Sequence, residues 1–214
     1  MLFVHGAWHG AWAWDRVLEH VPNGQAIDLP SDHGGGGFAA DVAAVRAALD
    51  EMQAPVTLVG HSYGGAVISE AGTHPSVDRM VIVAGFALDV GETVMANNAP
   101  ATPPTTLTEA MRIEDGAAIL DADGAHRAFY LDCDESPVDR LVPHPIDAFA
   151  TPVTEPAWKV VPTTYVLCTQ DQALHPDLQR FLATRCADVI ELEASHSPML
   201  SMPERIAAIA TGAK

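Results

Sequence analysis

Ser62, Asp171 and His196 each stand just after a short run that reads as a strand, and together they are the residue types of an acyl-transfer centre. A serine hydroxyl is a weak nucleophile until a base takes its proton and a third group orients that base. Ser62 lies in Gly60-His61-Ser62-Tyr63-Gly64-Gly65, between the β-branched run Val56–Val59 and a small-residue run ending at Gly72. This order predicts a strand, a very tight turn and a helix, with the serine in a strained conformation between positions that must lack a Cβ. The Tyr63 N–H then lies at a helix N-terminus, where partial positive charge can meet a developing oxyanion.

In an open parallel sheet, reactive groups gather in the loops at the carboxyl ends of the strands. His196 follows the last run that reads as a strand, in Ala194-Ser195-His196-Ser197-Pro198, and is the expected base. Asp171 follows the run before it, in Thr169-Gln170-Asp171-Gln172, and is the expected orienting acid. Its rival is Asp89, in the loop after Arg79–Ala84. The second oxyanion donor is expected from the loop after the first strand, at the N–H of Ala7. Gly6 and Trp8 in that loop, and Phe129 further on, are expected to contact substrate. His5 and His9 are four apart, a metal-binding spacing on a helix, but they flank a loop glycine with no third ligand nearby, so no metal is expected. His61 is expected to pack under the turn. Gly34–Gly37 lacks the spacing and lysine of a phosphate loop and reads as a flexible turn.

The elements that must position these groups follow from periodicity. Leu2–His5, Gln25–Leu29, Val56–Val59, Arg79–Ala84, Thr163–Thr169 and Asp188–Glu193 read as six strands. Trp14, Val17, Leu18 and Val21 have helical spacing, as do Phe38, Val42, Val45, Leu49 and Met52. A further helix follows Ser62, another starts at Pro176, and the Ser201–Glu204 capping box opens a last one. Strands alternating with helices indicate an α/β fold with a six-stranded, mostly parallel sheet covered on both faces. The rhythm breaks over residues 86–160, which hold half of the sixteen prolines. That stretch reads as a small helical insertion lying over the sheet, with helical pieces near Leu107–Arg112, Gly116–Leu120 and Gly124–Cys133. Residues 1–85 and 161–214 then form the core, and Met95, Leu107, Met111 and Phe129 would make an apolar pocket.

A net charge of −17 argues against nucleic acid and anionic membrane as partners. Three widely spaced cysteines suggest neither a disulfide framework nor a zinc site, and no leader or spanning segment is read, so a cytoplasmic location is expected. No cofactor is required by the chemistry. The partner is a small-molecule ester, and a homodimer is left open.

The chain resembles the α/β-hydrolase superfamily, and within it the branch of bacterial carboxylesterases, plant methylesterases and hydroxynitrile lyases. The motifs that carry the resemblance are Phe3–Trp12 (FVHGAWHGAW), Asp28–Pro30, Gly60–Gly65, Cys168–Asp171 (CTQD) and Ser195–Ser201 (SHSPMLS). It implies Ser62, Asp171 and His196 as triad, Ala7 and Tyr63 as oxyanion donors, and 86–160 as cap. Lyases of the branch carry a polar residue where this chain has Gly6, and some carry lysine where it has Ser197. The resemblance therefore implies a serine carboxylesterase for small to medium uncharged esters. The alternatives are a cyanohydrin-cleaving lyase using the same triad, or a non-catalytic small-molecule binder.

Overall fold

The computed structural model describes residues 1–98 and 104–213. Its strands are β1 (Leu2–Val4), β2 (Gln25–Ile27), β3 (Val56–His61), β4 (Val77–Val83), β5 (Met111–Glu114), β6 (Ala117–Leu120), β7 (His144–Pro145), β8 (Thr163–Cys168) and β9 (Asp188–Leu192). Six of them form one sheet in the order β2-β1-β3-β4-β8-β9, and every neighbouring pair is parallel. These are the six strands that the sequence predicts. The first helices are α1 (Asp15–Leu18), α2 (Phe38–Asp50), α3 (Tyr63–Ala71), α4 (Val94–Asn98) and α5 (Thr106–Ala110). The others are α6 (Ala122–Phe129), α7 (Ile146–Ala150), α8 (Pro176–Ala183), α9 (Pro198–Ser201) and α10 (Pro203–Thr211).

The central strands are apolar on both sides because helices cover both faces. Leu58, Met80, Ile82 and Tyr165 pack into one buried cluster with residues of α2 and α3, and Val59, Val81, Val83 and Val166 into another with residues of α10. Burial of each such side chain stabilises the fold by about 1.5–3 kcal/mol. In α2, Phe38, Val42, Val45 and Leu49 face the core at the predicted spacing. Asp41 is buried beside them, its carboxylate accepting from the Ser31 N–H at 2.9 Å and the Tyr63 hydroxyl at 2.6 Å.

Two expectations need correction. The insertion is not purely helical: β5, β6 and β7 form a three-stranded antiparallel sheet, and the Gly116–Leu120 piece read as helix is mainly β6. Glu114 pairs with Ala117 across a two-residue turn in which Asp115 (φ 49°) and Gly116 (φ 80°) both have positive φ. Asp-Gly favours that hairpin turn, and the helix-prone Ala117-Ala118 after it masked the signal. The capping box is also wrong. Met202, not Ser201, precedes α10, and the Ser201 hydroxyl instead bonds to Asp132 at 3.1 Å.

Among the described residues no helix is long and apolar enough to cross a membrane.

Candidate active site

β3 ends in a turn so tight that its glycines touch backbone. A Cβ on Gly60 would lie 2.6 Å from the Gly64 carbonyl oxygen, and one on Gly64 would lie 2.6 Å from that of Val4. Ser62 sits between them at φ 52°, ψ −119°, a conformation L-residues rarely adopt and one that costs on the order of 1–3 kcal/mol. The strain is held by neighbours: the Ser62 N–H donates to the Val83 carbonyl, and its own carbonyl accepts from Gly65 and Phe86. Ser62 lines a cavity of about 280 Å3, and α3 begins at Tyr63 directly behind it.

His196 lines the same cavity from the loop after β9. Its Nδ1 lies 2.7 Å from Asp171 Oδ2, with both side chains almost wholly buried. An ionised carboxylate only accepts, so Nδ1 carries the proton and Nε2 is left with a lone pair. Asp171, after β8, is itself fixed. Its Oδ1 accepts from the Ala173 and Leu174 amides at 2.7 and 2.9 Å, and its Oδ2 from Gln179 Nε2 at 2.7 Å. Four donors, counting His196 Nδ1, thus surround this one carboxylate. The rival Asp89 is on the surface, paired with Lys159.

The loop after β1 completes the arrangement. His5 Nε2 accepts from the Leu29 N–H at 3.0 Å, so its proton is on Nδ1 and is donated to the Gly6 carbonyl at 2.8 Å. In a trans peptide the carbonyl and the following N–H point in opposite directions, so this bond also fixes the Ala7 N–H. Among the described residues no acceptor takes the amide hydrogens of Ala7 or Tyr63. Ala7 lines the cavity beside Ser62. Burial lowers the pKa of both His5 and His9, and that of His9 falls to about 3, so neither is charged at neutral pH.

The substrate-contact expectations divide. Trp8, at φ 64°, lines the cavity, its indole N–H donating to the Ala118 carbonyl at 2.8 Å. Gly6 is not among the lining residues, though it packs so close to Ser62 that a Cβ there would lie 2.9 Å from the serine Cβ. Phe129 does not line it either. Its ring is buried against the His196 imidazole, with centroids 5.5 Å apart and planes 30° from parallel. Met95, Leu107 and Met111 do line the cavity.

Sequence reasoning missed Gln179. It is fully buried on α8, and besides holding Asp171 its Oε1 accepts from the Cys168 N–H at 2.9 Å. The available signal was a polar side chain three and four residues before Leu182 and Ala183 on the apolar face of that helix.

With a serine on a strained strand–helix turn, an Asp-held histidine and the free Ala7 amide around one cavity, and the free Tyr63 amide next to the serine in sequence, the chain belongs to the alpha/beta hydrolase family, whose model matches residues 1–209. It is similar to the alpha/beta hydrolase nvfD of Aspergillus novofumigatus, at 32% identity over 186 residues, 78% of this chain and 74% of that protein. It is also similar to a carbendazim hydrolyzing esterase of a Nocardioides species, at 30% identity over 117 residues, 48% of each chain. The fold matches a crystal structure of a pyrethroid hydrolase from Sphingobium faniae with a TM-score of 0.86 and 24% identity, over 99% of this chain and 96% of that one.

Proposed function

We propose that this protein is a serine carboxylesterase for small to medium uncharged esters. The observation that carries the reading is the buried 2.7 Å contact between His196 Nδ1 and Asp171, on a histidine that shares its cavity with Ser62. Ser62 Oγ attacks the ester carbonyl carbon while His196 Nε2 takes its proton, and Asp171 holds the imidazole in the useful tautomer. The negative oxygen of the tetrahedral intermediate is met by the Ala7 and Tyr63 amides, each worth about 3 kcal/mol of barrier. As the carbon–oxygen bond to the alcohol breaks, His196 returns the proton to the leaving oxygen. Water, deprotonated by the same nitrogen, then attacks the acyl-serine and releases the acid and free Ser62.

The substrate class rests on the lining. Among the described residues the cavity has no ionisable side chain apart from His196, and Phe86, Leu107, Met111 and Phe149 supply apolar surface. Similarity to a carbendazim hydrolyzing esterase supports the same chemistry. Gly6 and Ser197 stand where lyases of the resembling branch carry polar or basic side chains, which favours hydrolysis over cyanohydrin cleavage.

The test is hydrolysis of p-nitrophenyl acetate, butyrate and octanoate by wild type and Ser62→Ala. Turnover that disappears in Ser62→Ala supports the proposal, and equal rates in the two proteins reject it.

A further inference from the structure

The groups of the site come from loops after four different strands, yet one short stretch of the insertion touches two of those loops. The stretch is Phe129–Cys133, at the end of α6. On one side the Tyr130 hydroxyl lies 2.8 Å from His9 Nε2. His9 Nδ1 in turn lies 2.9 Å from the Ala7 carbonyl oxygen. A carbonyl only accepts, so His9 carries its proton on Nδ1 and Nε2 accepts from Tyr130. The chain of bonds runs Tyr130 to His9 to the peptide that follows Ala7. His5 holds the peptide that precedes it. Ala7 is therefore fixed on both sides, from the core by His5 and from the insertion by Tyr130 through His9.

On its other side the stretch grips the loop of His196. Asp132 Oδ2 accepts from the Ser195 N–H at 2.9 Å and from the Ser201 hydroxyl at 3.1 Å. Its Oδ1 accepts from the Ser195 hydroxyl. The same hydroxyl oxygen lies 3.2 Å from the Phe129 carbonyl oxygen, so its one proton serves two acceptors, and the Phe129 ring lies along the imidazole of His196. One carboxylate thus ties the His196 loop at Ser195 to the end of the following helix α9 at Ser201. His9, Phe129, Tyr130, Ser195 and His196 are all at most 2% exposed, so the Tyr130–His9–Ala7 bonds operate away from water, where a lost partner is expensive, while the Asp132 carboxylate is half-buried.

We propose that Phe129–Cys133 is a clip that sets the distance between the oxyanion loop and the His196 loop, with Tyr130 and Asp132 as its positioning residues. The proposal rests on the esterase reading of the site. Neither residue reaches the cavity, so each acts through another group: Tyr130 through His9 on the Ala7 donor, and Asp132 through Ser195 on the base. The insertion then does more than wall the pocket. A displaced insertion would loosen both loops at once.

The experiment compares Tyr130→Phe, Asp132→Asn and Ser195→Ala with wild type and with Leu131→Ala, whose side chain is 55% exposed on the same stretch. Misplacing a catalytic group by about 1 Å can lower turnover on the order of 100-fold, and a loosened loop is expected to lower kcat roughly 10-fold or more with KM nearly unchanged. Leu131→Ala keeps wild-type kcat. Ser195→Ala removes one bond of the Asp132 set and so repeats its effect at smaller size if Asp132→Asn folds poorly. Backbone amide spectra supply a readout independent of turnover: Tyr130→Phe perturbs the Ala7 and Trp8 signals, while Asp132→Asn perturbs those of Ser195 and His196. Unchanged amide signals at those positions, or a raised KM at constant kcat, overturn the clip. If wild type and Ser62→Ala prove equally active, it is the esterase reading that fails, and the amide spectra still decide for or against the clip.

Discussion

His61 Nε2 lies 2.8 Å from the backbone carbonyl oxygen of His196, so the residue before the serine holds the loop of the histidine. The carbonyl can only accept, which puts the His61 proton on Nε2. Burial, then the neighbouring His196 and His9, hold the His61 pKa well below its ordinary value, so the ring stays a neutral single donor. The two imidazoles lie 4.6 Å apart, centre to centre. Ser62 and His196, though 134 positions apart in sequence, are thereby referenced to each other through one bond.

Replacing His61 with Phe keeps the volume roughly filled but leaves a buried carbonyl unmatched, at about 1–3 kcal/mol. His61→Phe is expected to unfold at lower temperature and to lose roughly 10-fold in kcat, as the loop shifts by a fraction of an ångström. His61→Gln, which keeps an N–H, recovers part of both. Thermal unfolding and kcat on p-nitrophenyl butyrate check this, and a His61→Phe enzyme with wild-type kcat would show that the bond is only structural.

Asp171→Asn acts on the proton of the imidazole. The one side-chain oxygen that the substitution leaves is demanded by the Ala173 and Leu174 amides, which places the new NH2 where Oδ2 now faces His196 and Gln179. His196 must then accept at Nδ1 and carry its proton on Nε2, where it cannot act as base. Turnover is expected to fall about 10⁴-fold with the fold retained. The NH2 also confronts the Gln179 donor, so a modest loss of stability accompanies it. Asp89→Asn is expected to leave kcat unchanged. The opposite pair of results would move the orienting acid to the loop after β4.

His9 gives a pH prediction for stability. Its pKa is lowered by burial to about 3 in the folded protein, against about 6.5 when unfolded. The unfolded chain therefore binds this proton first. The stabilisation is fully present above about pH 6.5 and is lost as pH falls toward 3, with a slope of up to ~1.4 kcal/mol per pH unit. His9→Asn keeps a donor for the Ala7 carbonyl and has no proton to gain. Urea unfolding between about pH 4.5 and 6.5 should show a steeper acid-side loss in wild type than in His9→Asn, and parallel slopes would contradict the buried neutral state.

Most of the core was legible because its signals are local. Six short strand-like runs, the glycines around Ser62 and the Phe38–Leu49 periodicity each report an element through residues close in sequence. The positions of Asp171 and His196 followed from the rule that parallel strands deliver groups at one end. What stayed hidden depends on long-range partners. Asp132 looks like any acidic loop residue until the His196 loop arrives 63 positions later to supply its donors. His9 was set aside as a metal ligand, but its spacing could not reveal its partners, a carbonyl two residues back and a tyrosine 121 residues on. Phe129 was read as pocket wall from its type alone, yet the geometry of α6 turns it onto the imidazole.

The cavity makes a prediction about substrate. The lining that it shares with Ser62 includes the apolar side chains of Leu107, Met111, Ile146 and Phe149, and its volume is about 280 Å3. Each methylene moved from water onto such a wall gains about 0.8 kcal/mol, so kcat/KM should rise roughly 4-fold per added carbon from acetate until the space is filled. A carboxylate on the acyl chain finds no lysine or arginine among the described lining residues, and the protein's net charge of −17 opposes its approach. Burying it unpaired is strongly unfavourable, so a hemisuccinate ester is expected to be hydrolysed at least ~10-fold less efficiently than the butyrate of similar length. Initial rates across the p-nitrophenyl series and the hemisuccinate measure both effects together. A flat chain-length profile would mean that the acyl group stays outside the cavity. Equal rates for the charged ester would mean that water fills the lining side and that the pocket does not select for uncharged acyl groups.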